Sequence, residues 1–162
     1  MKNRFNLLIL SIPLIILLAI SCVGTSNNKD NASRAVFSSV MEKEWSLIRV
    51  KVGDNETLIN RETLANDNTG DLYTLKFSAD LLSGKAEPNT YSAPYTINEA
   101  EQTISIMPMR TTLMASFRQS VGLAEHDYYT YMNNAYKWEF AGNNLILHSK
   151  TADGQNVQLV FE

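Results

Sequence analysis

The residues of this chain that could do chemistry are few: one cysteine, two histidines, and a scatter of carboxylates and hydroxyls. Cys22 is the single cysteine, so no intrachain disulfide can form. His126 and His148 have no ligand spacing to the cysteine or to each other, which speaks against a metal site. The spacing around them places His126 on the solvent side of a helix and His148 near the end of a strand. No Gly-x-Ser-x-Gly, phosphate loop or HExxH occurs. Serines are plentiful, but a nucleophile needs a positioned base and none is marked. Glu99 and Glu101 are expected in an exposed turn, not as an acid–base pair. The chemistry marked by position is that of the Cys22 thiol.

Cys22 follows Leu18-Ala19-Ile20-Ser21 at the end of an apolar run, Leu7 to Ile20, broken only by Ser11 and Pro13. Lys2 and Arg4 precede the run. A bilayer span takes roughly 20 apolar residues, so this run suits an export signal better than an anchor. The small residue before the cysteine resembles the lipobox of bacterial lipoproteins, although Ala19 stands where leucine is usual. An ordinary cleaved signal and an uncleaved anchor helix are the competing readings. On the lipoprotein reading, residues 1–21 are a signal peptide and Cys22 becomes the acylated first residue. Two or three acyl chains anchor stably where one does not. Losing Lys2 and Arg4 leaves 12 basic against 17 acidic side chains. An acidic exported chain without a basic, aromatic-interleaved patch does not point to nucleic acid.

Residues 22–41 are polar, small and aperiodic up to Arg34, and read as a tether, with Ala35 to Met41 able to add a turn of structure before the domain. Residues 42–162 read as one domain of many short strands. Trp45 and Leu47, then Ile48, Val50 and Val52, predict a strand with a bulge where the phase slips. Thr57 to Leu64 suggests a weak edge strand, and Leu72 to Phe77 alternates. Ser83-Gly84 is expected to turn the chain. Tyr91–Ile97 and Gln102–Met107 predict a hairpin around Asn98–Glu101, interrupted after it by Pro108. Leu123–Asn134 has helical spacing, acidic residues in its first turn and Asn133-Asn134 to supply a left-handed end. Tyr136, Trp138 and Phe140 alternate with Lys137 and Glu139. Gly142-Asn143 and Asp153-Gly154 turn the last strands. The fold class expected is mainly β with one helix: an antiparallel sheet curled into a small or incomplete β-barrel, covered by the single α-helix.

Within the central stretch, Pro88-Asn89-Thr90-Tyr91-Ser92-Ala93-Pro94-Tyr95 resembles the CNxYxGxY signature of the META/HslJ family. Thr111-Thr112-Leu113-Met114-Ala115-Ser116 resembles that family's TxMAC signature. Trp45-Ser46-Leu47 fits the opening strand, and the resemblance spans roughly Glu44 to Phe161. Family members often carry a cysteine at each of the positions that here hold Pro88 and Ser116, implying a bridge this chain lacks. The motif positions Asn89, Tyr91, Tyr95, Thr111, Thr112 and Met114 have two readings. They could line a binding surface. The favoured reading makes Asn89 a turn residue, Tyr91 and Tyr95 packed rings with bonded hydroxyls, and the threonines strand formers. Met107, Met109 and Met114 could line an adaptable apolar pocket, with ordinary core filling favoured.

The resemblance implies a lipid-anchored, non-enzymatic envelope protein tied to envelope or heat stress. The alternative is a pilotin-like or carrier module that binds a lipid or apolar partner in the barrel, and an uncharacterised hydrolase ranks third. The expected partners are a membrane, through lipidated Cys22, and an envelope protein or lipid. No cofactor and no metal are expected.

Overall fold

The computed structural model describes residues 37, 38, 40–115 and 122–162. The expected signal, Cys22 and most of the tether lie outside the described residues, as does Ser116. Strand β1 (Glu44–Val52) sets the frame. Trp45 and Leu47 point inward, and then Val50 does, so the inward phase slips by one residue at Ile48. The ladder to β10 (Asn156–Phe161) skips at the same place, between Leu47 and Arg49. That is the bulge the phase slip predicts. It bends β1 enough for its two halves to serve different neighbours. The first half pairs with β3 (Thr74–Phe77) and the second with the short β2 (Asn55–Leu58).

The chain then runs β4 (Leu81–Lys85), β5 (Thr90–Asn98), β6 (Thr103–Ile106), β7 (Arg110–Thr111), β8 (Lys137–Ala141) and β9 (Asn144–Lys150). Neighbours follow the order β10-β9-β8-β6-β5-β4-β3-β1, and β1 pairs again with β10. Eight antiparallel strands thus close into a barrel, the complete form of the expected curled sheet. Closure removes the sheet edges that would otherwise template association. The thinnest seam is between β6 and β8, where Thr103 and Lys137 are the sole register pair. Ile104 N–H to Tyr136 O (3.2 Å) and Trp138 N–H to Gln102 O (2.9 Å) flank it.

Among the described residues two helices with stated bounds accompany the barrel, where one was expected. Residues 61–66 form α1 (Arg61–Asn66), where the edge strand was expected to continue to Leu64. Asn60 caps it by accepting from Thr63 N–H at 3.0 Å, Glu62 sits in its first turn, and Leu64 is buried. Arg61 reaches back to donate to Leu72 O at 2.7 Å and to Gly70 O. The longer helix α2 (Glu125–Asn133) falls where the periodicity predicts. Its end differs: Asn134 has φ −92°, not a left-handed value, and its side chain instead donates to Lys150 O at 3.0 Å.

The barrel interior is filled in two aromatic layers. Tyr73, Tyr91 and Tyr128 meet beneath α2, with ring centroids 5.4 and 5.7 Å from Tyr128. Phe37, Phe77, Trp138, Phe140 and Trp45 pack in the other layer. Phe37 and Val40 are buried there, and Trp45 Nε1–H donates to Val40 O at 3.2 Å. The core therefore reaches back into the segment expected to be tether, ahead of the boundary at residue 42. Ala35 to Met41, the stretch with room for a turn of structure before the domain, supplies these side chains. Several other expectations shift. Ser83 and Gly84 lie within β4. Residue 73 departs from the predicted strand with φ 53°. Tyr136 points outward, away from Trp138. Met107 is exposed and Met114 is 55% exposed, so neither fills the core, and only Met109 packs partly against it.

Trp138→Ala is expected to destabilise the domain by about 3–5 kcal/mol, because it removes a fully buried ring from between Phe37 and Phe140. Lys137→Ala on the outer face should cost about 0.5 kcal/mol or less. Urea unfolding of both variants checks this; equal midpoints would mean the Trp138 layer is not the core.

Candidate functional site

Of the motif residues, Thr112 and Met114 meet at Asn89. It follows the cis Glu87–Pro88 peptide in the turn between β4 and β5 and is only 5% exposed. A buried primary amide must find partners for two N–H and one oxygen. Here Nδ2 donates to Met114 O at 3.2 Å and to Glu125 Oε2 at 3.1 Å. Oδ1 accepts from Thr112 Oγ1 at 2.8 Å and from Met114 N–H at 2.7 Å. The backbone N–H of Asn89 donates to Glu125 Oε1 at 3.1 Å, and its carbonyl accepts from Ala86 N–H at 2.8 Å. One side chain thus ties the β4–β5 turn, the segment after β7 and the first turn of α2.

Around it, Thr112 Oγ1 also accepts from Thr90 N–H at 3.2 Å, and Tyr129 O–H donates to Glu125 Oε1 at 3.0 Å. Thr111 is the register partner of Tyr91 and contributes an exposed ladder position only. The Tyr91 hydroxyl points into the barrel and donates to Thr74 O at 2.7 Å. That leaves Tyr128 as donor in the 2.7 Å contact between the two hydroxyls. Tyr73 O–H donates to Leu123 O at 2.7 Å. This bond and full burial hold residue 73 in a left-handed backbone that a bulky side chain seldom adopts. Tyr95 lies away from the cluster and donates to Ser78 O at 2.8 Å.

Gly84 completes the arrangement. A Cβ there would stand 2.0 Å from Thr74 O and 2.6 Å from the Tyr91 hydroxyl. Only glycine lets β4 approach the bond between Tyr91 and Thr74 so closely. Glu125 is the residue that sequence reasoning assigned too weakly. Its place in the first turn suggested a helix-dipole role, whereas both its oxygens are spent on Asn89 and Tyr129. The Tyr129 partner, four residues on, was the signal available.

Burial pushes the tyrosine hydroxyls up. Tyr73 is raised to about 12, by desolvation first and then by the Glu87 and Glu125 charges. Tyr91 and Tyr128 are raised chiefly by desolvation, and Tyr129 by desolvation and then its bond to Glu125. Every polar group of the cluster is thereby a satisfied, neutral donor or an accepting carboxylate.

His126 is exposed on α2. His148 lies inside β9, not at its end, with Nε2 3.1 Å from Glu139 Oε1. Among the described residues no group of three or more His, Cys, Asp or Glu side chains could hold a metal ion. Two surface cavities lie away from Asn89. One of about 210 Å³ is lined by Lys51, Tyr136, His148 and Gln158, and a shallower one of about 460 Å³ by Ile48, Leu58 and Ile59.

The raised tyrosines set an alkaline limit. Their folded-state values exceed the unfolded one near 10, so their contribution is complete below about pH 10 and is lost as pH climbs through the folded values. Unfolding free energy should therefore be flat to about pH 9 and fall between about pH 10 and 12. Tyrosinate absorbance should appear for the buried rings only with unfolding. Ionisation of all seven tyrosines near pH 10 with the fold intact would contradict the buried cluster.

The META domain family matches residues 38–161. Two solved structures share the fold. A protein from Burkholderia xenovorans, solved by NMR, aligns with TM-score 0.52 at 15% identity, over 99% of this chain and 97% of its own. A DUF4847 family protein from Bacteroides vulgatus aligns with TM-score 0.50 at 14% identity, over 78% of this chain and 95% of its own. No curated protein matches. With nearly the whole described barrel inside the match, the Asn89 and Thr112 motifs included, the chain belongs to the META domain family.

Proposed function

We propose that this protein is a lipid-anchored component of a bacterial cell envelope, held to the membrane through acylated Cys22, whose META domain is a non-enzymatic module. The observation that carries this reading is the occupation of the motif side chains. Asn89, Tyr91 and Thr112, the polar groups closest to a site, are all bonded within the fold. The chemistry that position still marks is the thiol of Cys22, after a charged start, an apolar core and Ser21. No helix among the described residues is long and apolar enough to cross a membrane. Acyl chains on Cys22 would supply the attachment. The bacterial origin of both structural neighbours agrees with the setting. A link to envelope or heat stress rests on the family resemblance alone.

The carrier reading needs room inside the barrel. Leu47, Leu75, Phe77, Leu82, Leu147 and Phe161 are fully buried there, and this filling weighs against a ligand in the interior. Cells expressing the full chain are to be fed a fatty-acid analogue. Label is expected on the wild type and absent from Cys22→Ser, which should also wash off membranes. Equal labelling of the two would refute the anchor.

A further inference from the structure

Three apolar side chains meet on the outer wall of the barrel. Leu81 on β4 is the register partner of Pro94 on β5. Met107, just past β6, donates its N–H to Pro94 O at 2.9 Å. Leu81 is 45% and Met107 43% exposed, and Pro94 and Pro108 are exposed beside them. The inward phase explains why: Ile104 and Ile106 take the core positions of β6, which sends Met107 outward. Exposed single apolar residues are ordinary, but a contiguous strip across three strands marks a contact surface.

The chain enters the barrel beside this strip. Met41 bridges to Phe77, and Glu42 N–H donates to Phe77 O at 2.8 Å. The turn that follows closes with Ser78 N–H donating to Leu81 O at 2.8 Å. The point where the N-terminal segment joins the fold is thus one turn from Leu81. Residues 23–36 separate Cys22 from Phe37, a contour of at most ~50 Å. A membrane holding Cys22 is therefore within reach of the strip. Tethering raises the local concentration enough for a small apolar contact to be occupied.

We propose that Leu81, Pro94, Met107 and Pro108 form the surface on which the folded domain rests against the lipid bilayer that holds Cys22. This rests on the lipid anchoring proposed above. Charge favours an apolar contact over an electrostatic one. The chain from Cys22 onward is acidic, Asp80 precedes Leu81, and Glu42 is paired with Lys76 at 3.0 Å, so the strip is not a basic patch that anionic headgroups would seek.

The test uses the full-length lipoprotein with Met107→Cys. The Cys22 sulfur is blocked by its lipid, so an environment-sensitive fluorophore reacts at residue 107 alone. The protein is reconstituted in phosphatidylcholine vesicles with and without doxyl-labelled lipid. At residue 107, blue-shifted emission and quenching at least about twofold greater than at Asn143→Cys, in the exposed β8–β9 turn, are expected. Leu81→Cys should behave like Met107→Cys, which guards against a local effect of one label. Vesicle-bound protein with no more quenching at residues 81 and 107 than at 143 overturns the surface and leaves the anchor standing. Protein that leaves the vesicles on washing overturns both. A blue shift seen only in native membrane fractions assigns the strip to a protein partner and overturns the lipid assignment.

Discussion

The Asn89 side chain is out of water, and each of its hydrogen-bonding positions is matched by a group from a different part of the chain. That condition constrains everything around it. A buried amide left half-satisfied costs about 1–3 kcal/mol per unmet group, so turn, β7 exit and helix start must arrive together or not at all. Glu125 supplies acceptors to Asn89 from the helix, and Thr112 and Met114 bond it from the strand side. In this chain Pro88 precedes the buried Asn89, and hydrogen bonds join the turn to the segment just before Ser116.

The clasp matters because the barrel's other closures are uneven. β1 pairs with β10 over most of its second half, while β6 and β8 share one register pair. Helix α2 spans the connection between β7 and β8 and therefore leads into that seam. Fixing its first turn to Asn89, and Tyr128 to Tyr91 and Thr74, keeps the helix on the barrel. At the other layer Phe37 and Val40 close the aromatic cluster of Phe77 and Trp138. The chain at Phe37 and Val40 is thus part of the fold.

Much of the barrel was legible in the sequence because alternation reports directly on which face is buried. The bulge in β1, the hairpin at Asn98, the last three strands and the position of α2 all follow from period and turn residues. What stayed hidden was decided by contacts distant in sequence. Residues 61–66 form a helix because Asn60 caps it and Leu64 and Arg61 find partners on the barrel, against a pattern that reads equally as strand. Gly84 looks like a turn glycine, and only its approach to Thr74 O reveals a packing constraint. Asn89 in a Pro-Asn pair reads as a turn residue, which it is, but nothing local announces that Glu125 and Met114 will bury it. Met107 goes outward in the regular alternation set by Ile104 and Ile106, and Tyr136 stands just before β8 and is exposed although Trp138 is buried.

Asn89 and Glu125 act as one unit that joins helix to barrel. A double-mutant cycle measures this directly: urea unfolding of Asn89→Ala, Glu125→Ala and the double variant against the wild type. The two side chains share a hydrogen bond and a backbone contact, so the cycle should return a coupling of about 1–3 kcal/mol. Additivity within about 0.5 kcal/mol would mean the two residues do not stabilise each other, and the clasp would not be what holds α2 in place.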